Sequence, residues 1–247
     1  GVNVFVVDTG ILRTHQEFKG RVGKGFTAVN DGRGTDDCNG HGSHVSGTIA
    51  GTIFGVAKEA IINPVRVMNC NGSGSNSSII AGLDFITKNA VRPAVANMSI
   101  GGAASRQVDN AVNAAIDKGV VFAVAAGNDN VSACDSSPSR VPNAITVGAT
   151  QSNDIRASFS NFGRCLDIFA PGVNIQSVGI RSNTSTAILS GTSMACPHVA
   201  GVAALLLEGS PTATVKEIRD QMISDATTNV VVNPGSSSPN RLLFSNP

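Results

Sequence analysis

The chain opens on an apolar run: Val2, Val4, Phe5, Val6 and Val7 leave Asn3 as the one polar residue before Asp8, and Thr9-Gly10 then turns the chain. A short, β-branched and nearly continuous apolar segment suits a central strand covered on both faces. Further β-rich runs lie at Ile61 to Met68, Ala94 to Ile100, Val120 to Ala125 and Ala144 to Ala149. Between them, Ser77 to Val91 and Arg106 to Lys118 carry apolar residues three and four apart, the spacing of one helix face. Strands alternating with helices predict an α/β fold with a mostly parallel central sheet and helices on both faces. Beyond residue 165 the pattern is less regular. Short strands are expected at Leu166 to Phe169, Asn174 to Val178 and Thr186 to Leu189, and a long buried helix from Ser193 to Leu207. A last helix, about Thr212 to Ala226 with Ser210 or Thr212 as its N-cap, leads into a polar tail ending near Asn246. No internal repeat or linker-like break interrupts the pattern, so residues 1–247 read as one domain.

Charge and composition remove several classes of function. Lys and Arg number 18 against 17 Asp and Glu, with no basic block, so nothing suggests a partner with a phosphate backbone. No apolar run approaches the roughly 20 residues that span a bilayer. The expectation is a soluble monomer with neither nucleic acid nor membrane as partner. Trp and Tyr are absent, leaving ten Phe for all aromatic packing. Cys38, Cys70, Cys134, Cys165 and Cys196 allow two internal disulfides and a leftover thiol, but their number alone leaves pairing and even oxidation open.

Three short segments carry candidate chemistry. In an open parallel sheet the reactive crevice lies beyond the carboxyl ends of the strands, and Asp8 closes the first strand there. An aspartate in such a place also commonly caps the next turn. His41 stands between Gly40 and Gly42, which permit close approach of backbone or substrate, at the expected start of a helix. His44 follows three residues later, but the Glu of a zinc-protease helix and a third ligand are missing, so the metal reading is weak. His44 is expected packed within its helix and His15 exposed. Ser193 stands at the mouth of an apolar helix, where unpaired N–H groups and the helix dipole favour a developing oxyanion; an ordinary N-cap serine is the bland alternative. Pro197 is expected within the first turn, which has no hydrogen bond for it to break.

Taken together, Val7-Asp8-Thr9-Gly10, the glycine-flanked His41 segment and Gly191-Thr192-Ser193-Met194-Ala195 resemble the subtilisin superfamily, and within it the proteinase K-like group, over essentially the whole chain. The resemblance implies a subtilisin-like fold and a serine endopeptidase with Ser193 as nucleophile, His41 as base and Asp8 orienting the base. It gives Asn128, in Ala125-Ala126-Gly127-Asn128, an oxyanion-hole role beside the Ser193 amide. Ala125, Ala126 and Gly127 become one wall of the pocket for the side chain before the cut bond. That wall is small and uncharged, so aliphatic and aromatic side chains are expected there. Gly72, Ser73, Gly74 and Ser75, with Ser99, Ile100, Gly101 and Gly102, become the two edges that clamp extended substrate by strand addition. The resemblance also implies pairing of Cys38 with Cys70 and of Cys134 with Cys165, leaving Cys196 as a small buried hydrophobe. No catalytic cofactor is implied. A structural calcium ion is expected at Pro142, Ala144 and Asp167, with Glu17, Asp31, Asp36 and Asp37 available for others.

The match has gaps. Members of the group usually carry a few tens of residues ahead of the first strand, whereas this sequence opens almost on it, and the group often has a cysteine where Val45 stands. Synthesis with a signal peptide and an inhibitory pro-segment, followed by secretion, is the expectation. Partners would be protein and peptide substrates, the pro-segment and protein protease inhibitors. Two other readings compete. A serine esterase or lipase should show a Gly-x-Ser-x-Gly elbow followed by its acid and histidine, and neither is found. A catalytically silent binding protein on the same fold should have lost Ser193, His41 or Asn128, and all three stand.

Overall fold

A computed structural model describes residues 1–245; the end of the polar tail at Asn246 lies outside the described residues. The elements in chain order are β1 (Asn3–Asp8), β2 (Phe26–Thr27), α1 (His41–Ala50), β3 (Ile61–Arg66), α2 (Asn76–Asn89), β4 (Ala94–Met98), β5 (Gly102–Ala103), α3 (Arg106–Asp117), β6 (Val120–Ala125) and β7 (Ser136–Ser137). They continue with β8 (Ile145–Thr150), β9 (Ile168–Pro171), β10 (Ile175–Val178), β11 (Thr186–Leu189), α4 (Thr192–Gly209), α5 (Val215–Asp225), β12 (Thr227–Thr228) and β13 (Arg241–Leu242). Among the described residues the main sheet runs β12-β13-β9-β8-β6-β4-β1-β3-β2. From β2 to β9 all neighbours are parallel, and β12 returns antiparallel on β13. This is an α/β fold with a mostly parallel sheet between helical layers.

The near-continuous apolar character of the strands has a direct cause: each face of the sheet meets helices. Val4 and Val6 of β1 join Ile62, Val95, Val121 and Ile145 in a core that also holds Val45 and Ile49 of α1 and Val199 and Ala203 of α4. Phe5 and Val7 point the other way, into a core with Val65, Phe122, Leu83 and Ile86 of α2, and Val112 and Ile116 of α3. With period-2 alternation, both sets of a strand are buried. Helix α4 is apolar around its circumference because it lies within a core layer. Its small residues allow close approach: a Cβ at Gly201 would come within 2.6 Å of the Val56 Cβ.

Two sequence expectations move. The last helix starts later than Ser210 or Thr212: Thr214 is its N-cap, in a reciprocal capping box with Glu217. A Thr-x-x-Glu pair satisfies two end donors at once, which neither earlier candidate does. Pro197 is the sixth residue of α4 and lies beyond the first turn, as it would even in a helix starting at Ser193, so the expected place within that turn is corrected.

The site's position follows from topology. In the main sheet the chain passes from β1 to β2 and back to β3 on one side of β1, and from β4 to β6 on the other side. The carboxyl ends of β1 and β4 therefore flank a switch point, where such sheets open a crevice.

Candidate active site

Asp8 ends β1 with its side chain fully buried, and both carboxylate oxygens face His41 Nδ1, at 2.8 and 2.9 Å. The Thr9 amide donates to Asp8 Oδ1 at 2.7 Å and fixes the carboxylate. With Nδ1 donating to Asp8, the lone pair of His41 is left at Nε2, the tautomer a general base needs. Desolvation pushes the imidazole toward the neutral form. The charge and hydrogen bond of Asp8, and the more distant charge of Asp37, outweigh it and leave its pKa above the ordinary value.

The turn that presents His41 is held by side chains from elsewhere. The His41 amide donates to Asn39 Oδ1 at 3.2 Å, that of Gly42 to Thr9 Oγ1 at 2.9 Å, and that of Ser43 to Asp37 Oδ2 at 2.9 Å. Asp37, nearly buried, also accepts from the Thr9 hydroxyl, the Asn39 and Gly40 amides and the Ser43 hydroxyl. Glu17, Asp31 and Asp37, candidates for further calcium sites, are thus engaged within the chain. Glu17 Oε2 accepts from the Ile53 and Phe54 amides. Asp31 pairs in two-pronged fashion with the buried Arg66 at 2.8 and 2.6 Å, and that hydrogen bond holds its carboxyl down at about 2. Asp36 stays exposed in the loop beside Ile11.

Ser193 is the second residue of α4. Pro197 has no N–H to give to the carbonyl four residues back, which is that of Ser193. The Ser99 hydroxyl takes the vacancy, donating to the Ser193 carbonyl at 2.8 Å, and Asn97 Nδ2 donates to Ser99 Oγ at 3.0 Å from behind. The Ser193 hydroxyl donates in turn to the Ser99 carbonyl at 2.9 Å. In this state the hydroxyl is bonded to the Ser99 carbonyl rather than to His41. Catalytic hydrogen bonds commonly tighten only once substrate is bound. Cys196, one turn away, is wholly buried, and burial pushes its thiol far up, so it is inert packing.

Asn128 Oδ1 accepts from both the amide and the hydroxyl of Thr192, at 2.8 and 2.9 Å. Two donors on the oxygen turn the amide nitrogen the other way, into a cavity of about 440 Å³ lined by Ile100 to Ala103, Ala125 to Asp129, Thr192 and Ser193. Gly127 has φ +102°, and a Cβ there would stand 2.3 Å from Asn161 Nδ2, so glycine is required. Asn161, fully buried, braces the loop by donating to the Ala126 carbonyl and accepting from the Asp129 and Val131 amides. Gly72, Ser99, Ile100 and Gly101 line a neighbouring cavity of about 220 Å³ with His41, so both expected substrate edges reach the cleft. Gly74 and Gly102 line a smaller one beside it. Ser73 is bonded into a turn with Asn69, and Ser75 caps α2, accepting from the Ser78 amide.

Sequence reasoning named Asp37 only as a possible calcium ligand and not as the group that holds the His41 turn, and it missed Asn97, Asn161 and a cavity of about 490 Å³ beside His41, lined by Gly179, Ile180, Arg181, Ala187 and Leu189. His15 is a correction: expected exposed, it is 3% exposed. Its ring caps a short turn by accepting from the Glu17 amide, bonds the Ser185 carbonyl and packs edge-on against Phe18. His44 is packed as expected, with Nε2 on the Ile175 and Ala187 carbonyls.

The chain joins Cys38 to Cys70 and Cys134 to Cys165. The first bridge ties the loop before His41 to the turn before α2, and the second lies close behind the Asn128 loop. Rings of this size remove unfolded-chain entropy worth roughly 3 to 4 kcal/mol each. At the expected calcium position, Asp167 Oδ2 accepts from the Thr146 amide at 2.9 Å and Oδ1 from Arg219 Nη2 at 2.5 Å. With both oxygens engaged and a guanidinium against one of them, Pro142, Ala144 and Asp167 do not fit a calcium ion.

The parallel sheet, the switch-point cleft and the Asp–His pair beside a serine at a helix N-terminus define an α/β protein built like a serine hydrolase. The chain belongs to the subtilase family, whose model matches residues 1–242. It is 60% identical over 244 residues to an extracellular serine proteinase of Thermus sp. (strain Rt41A), covering 99% of this chain and 60% of that protein. It is 48% identical over 245 residues to alkaline serine exoprotease A of Vibrio alginolyticus, covering 99% of this chain and 45% of that one. The chain thus spans about half the length of the curated relatives it matches. Among solved structures, a cold adapted subtilisin-like serine proteinase superposes with a TM-score of 0.97 at 47% identity, covering all of this chain and 89% of the other.

Proposed function

We propose that this chain is a single peptidase domain, a serine endopeptidase acting through Asp8, His41 and Ser193 by way of an acyl-enzyme. The observation that carries the reading is the convergence at one cleft of His41 on the buried Asp8, Ser193 and an Asn128 amide turned toward the cavity. Once substrate enters, the Ser193 hydroxyl swings from the Ser99 carbonyl to His41. Nε2 takes its proton as Oγ attacks the scissile carbonyl. The electron pair of the C=O collects on oxygen, where Asn128 Nδ2 and the Ser193 amide stabilise it. Collapse expels the amine, which receives the proton from Nε2, and water repeats the sequence on the acyl-enzyme. Family chemistry of this kind needs no catalytic cofactor.

The uncharged Ala125, Ala126 and Gly127 wall supports aliphatic and aromatic side chains before the cut. The acyl half of the substrate would lie along that wall, so the leaving half passes His41 toward Ile180, Arg181 and Leu189. Secretion is the reading favoured by the Thermus relative, named as extracellular, and by the two disulfides. Among the described residues no helix is long and apolar enough to cross a membrane. A monomer restrained by its own pro-segment and by protein inhibitors completes the proposal.

The test pairs a fluorophosphonate label with cleavage of a denatured protein read by mass spectrometry. Labelling of Ser193 with internal cuts after apolar residues supports the proposal. Labelling with turnover of simple esters alone points to an esterase. Absence of both labelling and cleavage points to a silent binding protein.

A further inference from the structure

A carboxylate removed from water needs donors and a counter-charge, and the buried Asp167 obtains both from its own chain. It sits one residue ahead of β9, with the Thr146 amide of β8 on Oδ2 and Arg219 of α5 on Oδ1. Arg219 is itself only 30% exposed, so the pair is largely sheltered from solvent. Arg241, in β13, stands next to Leu242, which pairs with Phe169 two residues beyond Asp167, and adds a second positive charge nearby.

We propose that the Arg219 guanidinium holds the place of a cation beside Asp167, closing this position with an internal ion pair so that it takes up no calcium. A calcium ion draws six to eight oxygen ligands to about 2.3–2.6 Å. Here the carboxylate lone pairs already receive N–H groups, and an arriving dication would have to displace one guanidinium while facing another. Pairing with Arg219 also does mechanical work. Asp167 fixes Thr146, whose hydroxyl donates to the Ser139 carbonyl at 2.9 Å, and Ser139 lines the substrate cavity. The ion pair thereby clasps α5 to the ends of β8 and β9 and steadies one side of the pocket without a metal.

The experiment measures thermal midpoints by circular dichroism, in excess chelator and in millimolar calcium, and calcium stoichiometry by titration calorimetry. A Ser193→Ala background prevents self-digestion. Asp167→Asn should leave the calcium-dependent rise in Tm and the stoichiometry of the parent unchanged. Arg219→Ala should lower Tm by roughly 5 °C in chelator. It should also gain one calcium ion per chain and recover part of the lost Tm in calcium. That gain should vanish in Arg219→Ala/Asp167→Asn and be absent in Arg219→Lys, which keeps the positive charge. A parent whose calcium response disappears with Asp167→Asn overturns the proposal, as does an Arg219→Ala protein that folds yet binds no additional ion.

Discussion

Two helix N-termini meet at the cleft, and they are finished in opposite ways. At the start of α1 the amides of His41, Gly42 and Ser43 are each bonded to a different side chain, and Asp37 gathers the surrounding loop onto one carboxylate. At the start of α4 the Thr192 amide goes to Asn128 and that of Met194 to the Gly191 carbonyl, while the Ser193 amide has no partner among the described residues. In the proposed mechanism His41 is the general base and must be held at one angle, which a closed helix end does. The oxyanion hole of that mechanism must keep a donor unspent until charge develops, which the open end of α4 allows.

The contrast can be broken most severely at the reacting groups. Ser193→Ala and His41→Ala should each reduce kcat by roughly 10⁴- to 10⁶-fold, and the double variant should lose little more, because the members act as one unit. Active-site-corrected kinetics with a peptide substrate would check this, and strictly additive losses would sink the assignment. On the open end, Asn128→Ala should lower kcat by about 10²- to 10³-fold with a modest change in KM. An effect confined to KM would remove Asn128 from the oxyanion hole.

On the closed end, Asp37→Asn should cost roughly 2 kcal/mol of stability, since an amide NH₂ would then face donors that now meet a carboxylate. It should also move the acid limb of kcat/KM. On the proposed mechanism activity requires neutral His41, whose pKa is raised, so the parent limb should lie above the ordinary value of 6.5. Removing a negative charge that favours the imidazolium should shift that limb to lower pH. His44, held neutral by burial with a pKa of about 4, stays uncharged through this range and leaves the limb to His41. A limb that stays put while stability falls would reduce Asp37 to a structural cap.

The smallest effect lies beyond His41. Exposed Arg181 has no salt-bridge partner among the described residues, so substrates with Asp or Glu after the cut should be favoured a few-fold over those with Lys. The preference should shrink in Arg181→Ala and in high salt. Matched fluorogenic peptides differing only at those positions would measure it.

How far this was legible in the sequence follows from the range of the interactions. The alternation of strands and helices was readable because burial on both faces leaves long apolar runs. Asp8, His41, Ser193 and Asn128 could be named as candidates because short motifs carry them. Asn161, by contrast, looks like any polar loop residue until the fold sets it against Ala126, 35 positions away. Counting residues from the helix start is enough to place Pro197 past the first turn, but that Ser99, 94 positions from Ser193, takes up the carbonyl it leaves free shows only in the fold. Likewise the pairing of Asp167 with Arg219 spans 52 positions and lies in no motif.

The two disulfides turn residues 38–70 and 134–165 into covalent rings that flank the cleft. A backbone cut anywhere inside either ring leaves both ends attached, so no fragment can depart. For a protein that meets copies of itself in solution, damage of this kind would accumulate unseen. Nicked molecules would keep their full mass on a non-reducing gel and fall into pieces only when a thiol is added.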